Sequence, residues 1–102
     1  DIRVIIMTPN AFGDNYESWK HKRTEKYVKE IRKIAKKENL PIIDQWKIMN
    51  EMAKQPGKKI EDFLLPDEMH TNDLWHKVLA ETVSDIIINL LRDPDSRKSA
   101  KK

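Results

Sequence analysis

Two short runs of branched apolar residues constrain this chain more than any other feature: "IRVIIM" at 2–7 and "PIIDQ" at 41–45. The first is nearly continuous in Val and Ile, as in a strand buried on both faces. It ends at "TPN", where Pro9 cannot donate to a ladder. Between the runs lie a loop, "AFGDNYES", and a segment from about Trp19 to Glu38 in which Tyr27, Val28, Ile31, Ile34 and Ala35 recur at helical spacing. The unit is β-α-β. A crossover of this length joins parallel strands through a right-handed connection, and parallel strands need helices on both faces and further strands beside them. Two alone leave sheet edges and apolar surface open. Either the chain oligomerises through its sheet, or it is the second half of a larger doubly wound α/β domain whose earlier strands lie in preceding sequence. The opening at Asp1 without an initiator Met fits the second expectation.

The remaining elements follow from the same signals. Residues 46–54, "WKIMNEMAK", form a short helix closed by "QPGKK", and 55–71 form a long loop. The last helix starts at Asn72 or Asp73, either of which can cap it, and carries the apolar pairs Leu74/Trp75, Val78/Leu79, Thr82/Val83, Ile86/Ile87 and Leu90/Leu91. It ends before Pro94. The domain therefore occupies 1–93, and 94–102 is a polar tail expected to be mobile. No apolar run approaches the length of a bilayer span.

Cysteine is absent, which removes disulfides, thiolate catalysis and cysteine-ligated zinc; the compartment stays open. The net charge of +3 arises mostly between Lys20 and Lys37 and in the tail "RKSAKK". Because those lysines alternate with the apolar positions of a helix, they read as its solvated face. With no binding motif beside them, no specific nucleic-acid partner is expected.

The chemistry-bearing segment is "LLPDEMHTNDLWH", 64–76. Asp67 and His70 stand three residues apart just before the last helix, so one segment could supply an imidazole and the carboxylate that orients it. In open α/β sheets, ligands sit beyond the carboxyl ends of the strands, the edge toward which this loop returns. The bland alternative is a capping and surface arrangement. Asp67, His70, Asp73 and His76 also fall at spacings of three, but a Pro-led loop precedes the helix, so they share no helical face, and no metal or other cofactor is expected. His76 reads as a helix-surface residue and His21, among lysines, as solvated. Trp19, Trp46 and Trp75 read as packing residues, and Met49, Met52 and Met69 as gap fillers. Asn10 and Asp44, at strand ends, either border a cleft or cap structure. A nucleophile is harder to find: Ser18, Ser84, Ser96 and Ser99 all lack a strand-to-helix elbow.

The order "VIIMTPN", amphipathic helix, "LPIIDQW", short helix and "LLPDEMHTNDLWHKVLAETV" resembles the C-terminal half of an SGNH (GDSL-type) hydrolase. That family's last block is Asp-x-x-His followed by a few polar residues and a closing helix, matched here by Asp67, Glu68, Met69 and His70. The resemblance spans residues 1 to about 91 and departs at Trp75, where family members commonly have Gly. It implies the C-terminal portion of a doubly wound, flavodoxin-like three-layer α/β/α domain, incomplete in this chain. It further implies hydrolysis of a short acyl ester, including one carried on a carbohydrate, through an acyl-enzyme. His70 would be the general base and Asp67 its orienting carboxylate; from their own positions, Trp75 next to this pair and Asn10 at a strand end are candidate substrate-binding residues. The family's Gly-Asp-Ser serine and its Gly and Asn oxyanion donors belong to an N-terminal half, on the same polypeptide or a companion chain; in "FGDNYES" Asn15 stands where the serine would be. The chain alone is then expected to be inactive, and poorly soluble or oligomeric. The alternative is a non-catalytic α/β module that binds a partner through its sheet edge or basic helix.

Overall fold

The computed structural model describes residues 2–14 and 18–92; Asn15 and the tail 94–102, with Ser96 and Ser99, lie outside them. The elements run β1 (Ile6–Met7), α1 (Ser18–Lys37), β2 (Ile42–Ile43), α2 (Gln45–Ala53), a 3-10 turn (Ile60–Phe63) and α3 (Asp73–Arg92). The two strands are parallel, with Ile6 opposite Ile42 and Met7 opposite Ile43. Ile6 N–H to Pro41 O (2.9 Å) and Thr8 N–H to Ile43 O (3.0 Å) extend the pairing by one bond at each end. This is a small α/β domain.

Both strands are shorter than the apolar runs that announce them. Residues 2–5 make no ladder, and Ile2 is 92% and Val4 48% exposed. A run built for burial on both faces has a partner along one edge only, so its first half has nothing to pair with. At the second run, Gln45 belongs to α2 and not to the strand. Asp44 ends β2 because its carboxylate accepts the Lys47 N–H (3.1 Å), which makes it the N-cap of α2.

Helix α1 ends in a Schellman turn. Leu40 N–H reaches Ala35 O (2.8 Å), Asn39 N–H reaches Lys36 O (3.3 Å), and Asn39 takes a φ of 55°, a conformation that Asn tolerates better than most side chains. Val28 and Ala35 are buried on the inner face of α1, as is Ile43 of β2. The main core lies elsewhere: Ala11, Met49, Phe63, Leu64 and Trp75 form one buried cluster, surrounded by Trp46, Ile48, Met52, Ile60, Val78 and Leu79. It therefore sits among α2, the 3-10 turn and the first two turns of α3. Farther along α3, Ile87, Ile88 and Leu91 are exposed. Arg3 donates to Leu90 O (3.1 Å), holding the start of the chain against the end of this helix. No helix among the described residues is long and apolar enough to cross a membrane.

At the carboxyl ends of the strands a polar network joins four elements. The carboxylate of Asp44 accepts from Arg32 Nε (2.7 Å) and Nη2 (3.3 Å) and from the buried Thr8 Oγ1 (3.2 Å). Thr8 in turn accepts from the Trp46 N–H, and Gln45 bridges from Thr8 O (3.0 Å) to the indole N–H of Trp75 (2.9 Å). Burial pushes the Asp44 carboxyl up, but hydrogen bonds from Arg32, the Lys47 amide and Thr8, together with the Arg32 charge, outweigh it and hold the group below its ordinary value. A depressed folded-state pKa means that the stabilisation is present above the unfolded value of about 3.9 and is lost as pH falls through the folded one. Asp44→Asn is expected to cost about 1–2 kcal/mol at pH 7, an amount discounted for the partly solvated Arg32 end. The gap between urea melts of the two proteins should narrow as pH falls below the unfolded value of about 3.9, and a gap independent of pH would contradict the ion-pair account.

Candidate active site

The loop carrying Asp67 and His70 is closed by its own backbone. Leu64 and Thr71 pair as an isolated antiparallel bridge, Leu65 N–H donates to His70 O (2.8 Å), and Glu68 N–H turns back to Leu65 O (2.8 Å). Pro66 suits the second position of that turn because its ring presets φ. Immediately after the loop, Asn72 caps α3: its Oδ1 accepts the Trp75 N–H (3.0 Å) while its Nδ2 donates to Asp62 O (2.8 Å) and Leu64 O (3.3 Å). Of the two residues able to cap this helix, Asn72 does so.

Within the loop, Asp67 uses its two carboxylate oxygens differently. Oδ1 accepts the backbone N–H groups of Met69 (2.9 Å) and His70 (3.0 Å), while Oδ2 lies 2.5 Å from His70 Nδ1. The His70 hydrogen bond, followed by those two amides, holds the Asp67 carboxyl down at about 2. At neutral pH the carboxylate has no proton to give, so the proton in the contact is on Nδ1 and the lone pair of the neutral ring is on Nε2. Both side chains are substantially exposed. The pair is thus a solvent-facing imidazole in a defined tautomer, able to accept a proton at Nε2.

The segment following β1 anchors this loop. Asn10 donates through Nδ2 to Met69 O (3.0 Å) and Ala11 O (2.8 Å), and the Gly13 N–H donates to Glu68 O (2.9 Å). Asn10, a candidate for substrate contact in the sequence, thus has its amide N–H groups on the backbone of its own loop and of the loop bearing the pair. Gly13 is required by space: an added Cβ would lie 2.6 Å from Glu68 Cβ and press on that residue's carboxylate. Glu68 itself sits at φ 58°. Gly13→Ala is therefore expected to shift the Asp67–His70 loop and to destabilise the fold by about 1–3 kcal/mol. Glu68→Gly, which removes the obstructing side chain and suits the positive φ, should recover at least half of that loss in the double variant. Thermal melts of the four proteins would settle it, and strict additivity would rule the clash out.

Other residues singled out from the sequence fall into place around this arrangement. Trp75 is fully buried, edge-on to Phe63 at 5.7 Å, so its ring belongs to the core and is not on the open side of the loop. His76 is exposed, with Nε2 2.9 Å from Thr71 Oγ1 and Nδ1 3.9 Å from Asp73 Oδ1. Among the described residues, no group of three or more His, Asp or Glu side chains is arranged to hold a metal ion. Ser84 is an exposed mid-helix residue of α3. His21 differs from expectation. It is half-buried, its Nε2 lies 3.0 Å from Gly13 O, and it packs edge-on against Phe12 and Trp46. Its spacing of seven to Val28 and of fourteen to Ala35, both buried, is the signal that could have placed it on the inner face. Gln45, which links the network to Trp75, had no such signal. Compared with models of known families, with curated proteins and with solved structures, the chain matches none.

Proposed function

We propose that this chain supplies the base-bearing half of a serine ester hydrolase of the SGNH type. In this proposal the chain is the C-terminal part of a doubly wound domain, and the serine and oxyanion donors come from an N-terminal half. The observation that carries the reading is the Asp67 Oδ2 to His70 Nδ1 contact of 2.5 Å, made by a carboxylate whose other oxygen is already committed to two loop amides. In the reaction, His70 Nε2 takes the proton from the serine hydroxyl as its oxygen attacks the ester carbonyl, then gives that proton to the departing alkoxide. Water repeats the sequence on the acyl-enzyme. Asp67 keeps Nδ1 protonated and stabilises the imidazolium that forms in each step. The uncovered apolar positions of 2–7 and of α3 support a further layer of protein beside this one.

A fluorophosphonate probe, which phosphonylates only activated serines, tests the proposal. The polypeptide holding both halves should be labelled at one serine outside these 102 residues, and the chain alone should remain unlabelled. Labelling of Ser84, or none in the complete protein, would overturn the assignment. A second reading is favoured by Asp67 Oδ1, which performs a full turn-capping role by itself: the pair then serves only to hold the loop, and no serine reacts.

A further inference from the structure

Helix α1 carries more positive charge than solvating one helix face requires. Lys22, Arg23, Lys26, Lys29, Arg32, Lys33, Lys36 and Lys37 are offset within the element only by Glu25 and Glu30. Arg32 is committed inward to Asp44, and Glu25 and Glu30 are paired with Lys29 and Lys33. A surplus of cations therefore remains on the outer side.

That side is not uniformly polar. At 100° per residue, Trp19, Arg23, Tyr27, Glu30 and Ile34 fall within about 80° of one another, opposite the buried Val28. Trp19 is 55%, Tyr27 59% and Ile34 50% exposed, although each would be expected to turn away from water. The stripe extends about 22 Å along the axis, with Lys22, Lys26, Lys29 and Lys33 along one flank. Between Trp19 and Tyr27, an open groove of about 300 Å³ is lined also by Lys22, Arg23 and Lys26.

We propose that this face of α1 docks onto an anionic phospholipid surface, with Trp19, Tyr27 and Ile34 at the level of the headgroup–acyl boundary and Lys22 and Lys26, which line the groove beside the rings, on lipid phosphates. Charge complementarity supplies the attraction, and indole and phenol rings, apolar in body and polar at one end, are the side chains that partition to that boundary. A single nucleic-acid strand would use the same cations, but it needs open ring faces for its bases. Here Lys20 Nζ and Arg23 Cζ stand 5.5 and 5.7 Å from the Trp19 ring centroid, and Ile34 offers a base nothing to stack on. The docking does not depend on any catalytic role of His70.

The test is co-flotation, which leaves aggregates behind, of the intact polypeptide with vesicles of phosphatidylcholine alone and of phosphatidylcholine with about one-third phosphatidylserine, at low salt. Binding is expected to the anionic vesicles only, to fall steeply with salt, and to drop about 25-fold when Lys22 and Lys26 are replaced together by Gln, at about fivefold per lysine. Trp19→Ala should weaken it about tenfold, whereas Trp19→Phe should bind but lose the blue shift in tryptophan emission that wild type shows on insertion. Circular dichroism would confirm that each variant is folded. Equal binding to neutral vesicles, binding that survives the Lys22 and Lys26 double substitution, or tighter binding to a single-stranded oligonucleotide than to anionic vesicles would each overturn the proposal.

Discussion

If the proposed ester hydrolysis is right, replacing His70 with Ala in the intact polypeptide is expected to lower kcat for an activated acetate ester by about 10³–10⁴-fold with little change in KM. The base is lost while substrate binding, which depends on other groups, is kept. His70 is exposed, so the substitution creates no cavity, and the unfolding midpoint should stay close to that of wild type. Asp67→Asn should be comparably damaging through the tautomer, because an amide N–H facing Nδ1 forces the ring proton onto Nε2, where the lone pair is needed. The pH profile adds a further constraint. With its folded value held at about 2, Asp67 stays ionised through the range in which esterases are assayed, so no limb near pH 4 should be assignable to it. The same depression means that Asp67 stabilises the loop above the unfolded value of about 3.9 and ceases to do so as pH falls toward 2. An His70→Ala enzyme with an unchanged rate would remove the base assignment, and with it the proposed mechanism.

Trp75→Ala is expected to have the largest effect on stability, about 3–5 kcal/mol, against a total of about 5–15 kcal/mol for a typical domain. The indole is completely buried, packs edge-on against Phe63, and belongs to the cluster that includes Leu64, where the Asp67–His70 loop begins. Its N–H also satisfies Gln45 Oε1, and truncation leaves that acceptor without its partner in a half-buried site. Trp75→Phe should recover most of the packing but not the hydrogen bond, leaving about 1–2 kcal/mol of the loss. Urea titrations followed by far-ultraviolet circular dichroism would resolve both values. A loss below about 1 kcal/mol for Trp75→Ala would mean that the core tolerates a cavity of that size, contrary to the packing described.

The long helices were legible because each repeats its apolar signal over many turns: the expected boundaries of 19–38 and 72 or 73 to 93 lie within a residue or two of Ser18–Lys37 and Asp73–Arg92. The two strands and their parallel pairing were legible from the apolar runs, but their extent was not, because a strand is defined by its neighbour and the two pair only over Ile6–Met7 and Ile42–Ile43. The Asp67–His70 pair was legible for the same reason as the helices, its partners being three residues apart. The contacts that hold it are not local. Asn10 with Met69, Gly13 with Glu68 and Gln45 with Trp75 are joined only by tertiary packing, so nothing in the residues around Asn10 or Gln45 announced them. Trp75 was readable as apolar, but the side of α3 on which its ring would be buried depends on where Phe63 stands.

Those long-range bonds join two alignments that would otherwise be separate. Asn10 and Gly13 continue the chain from β1, so a slip of β1 along β2 by one residue would carry them about 3.3 Å, farther than a hydrogen bond to Met69 O or Glu68 O can stretch. A register error in the sheet would therefore arrive at the imidazole as a misdirected lone pair. Correct strand pairing and correct aim of His70 are a single condition, satisfied or failed together.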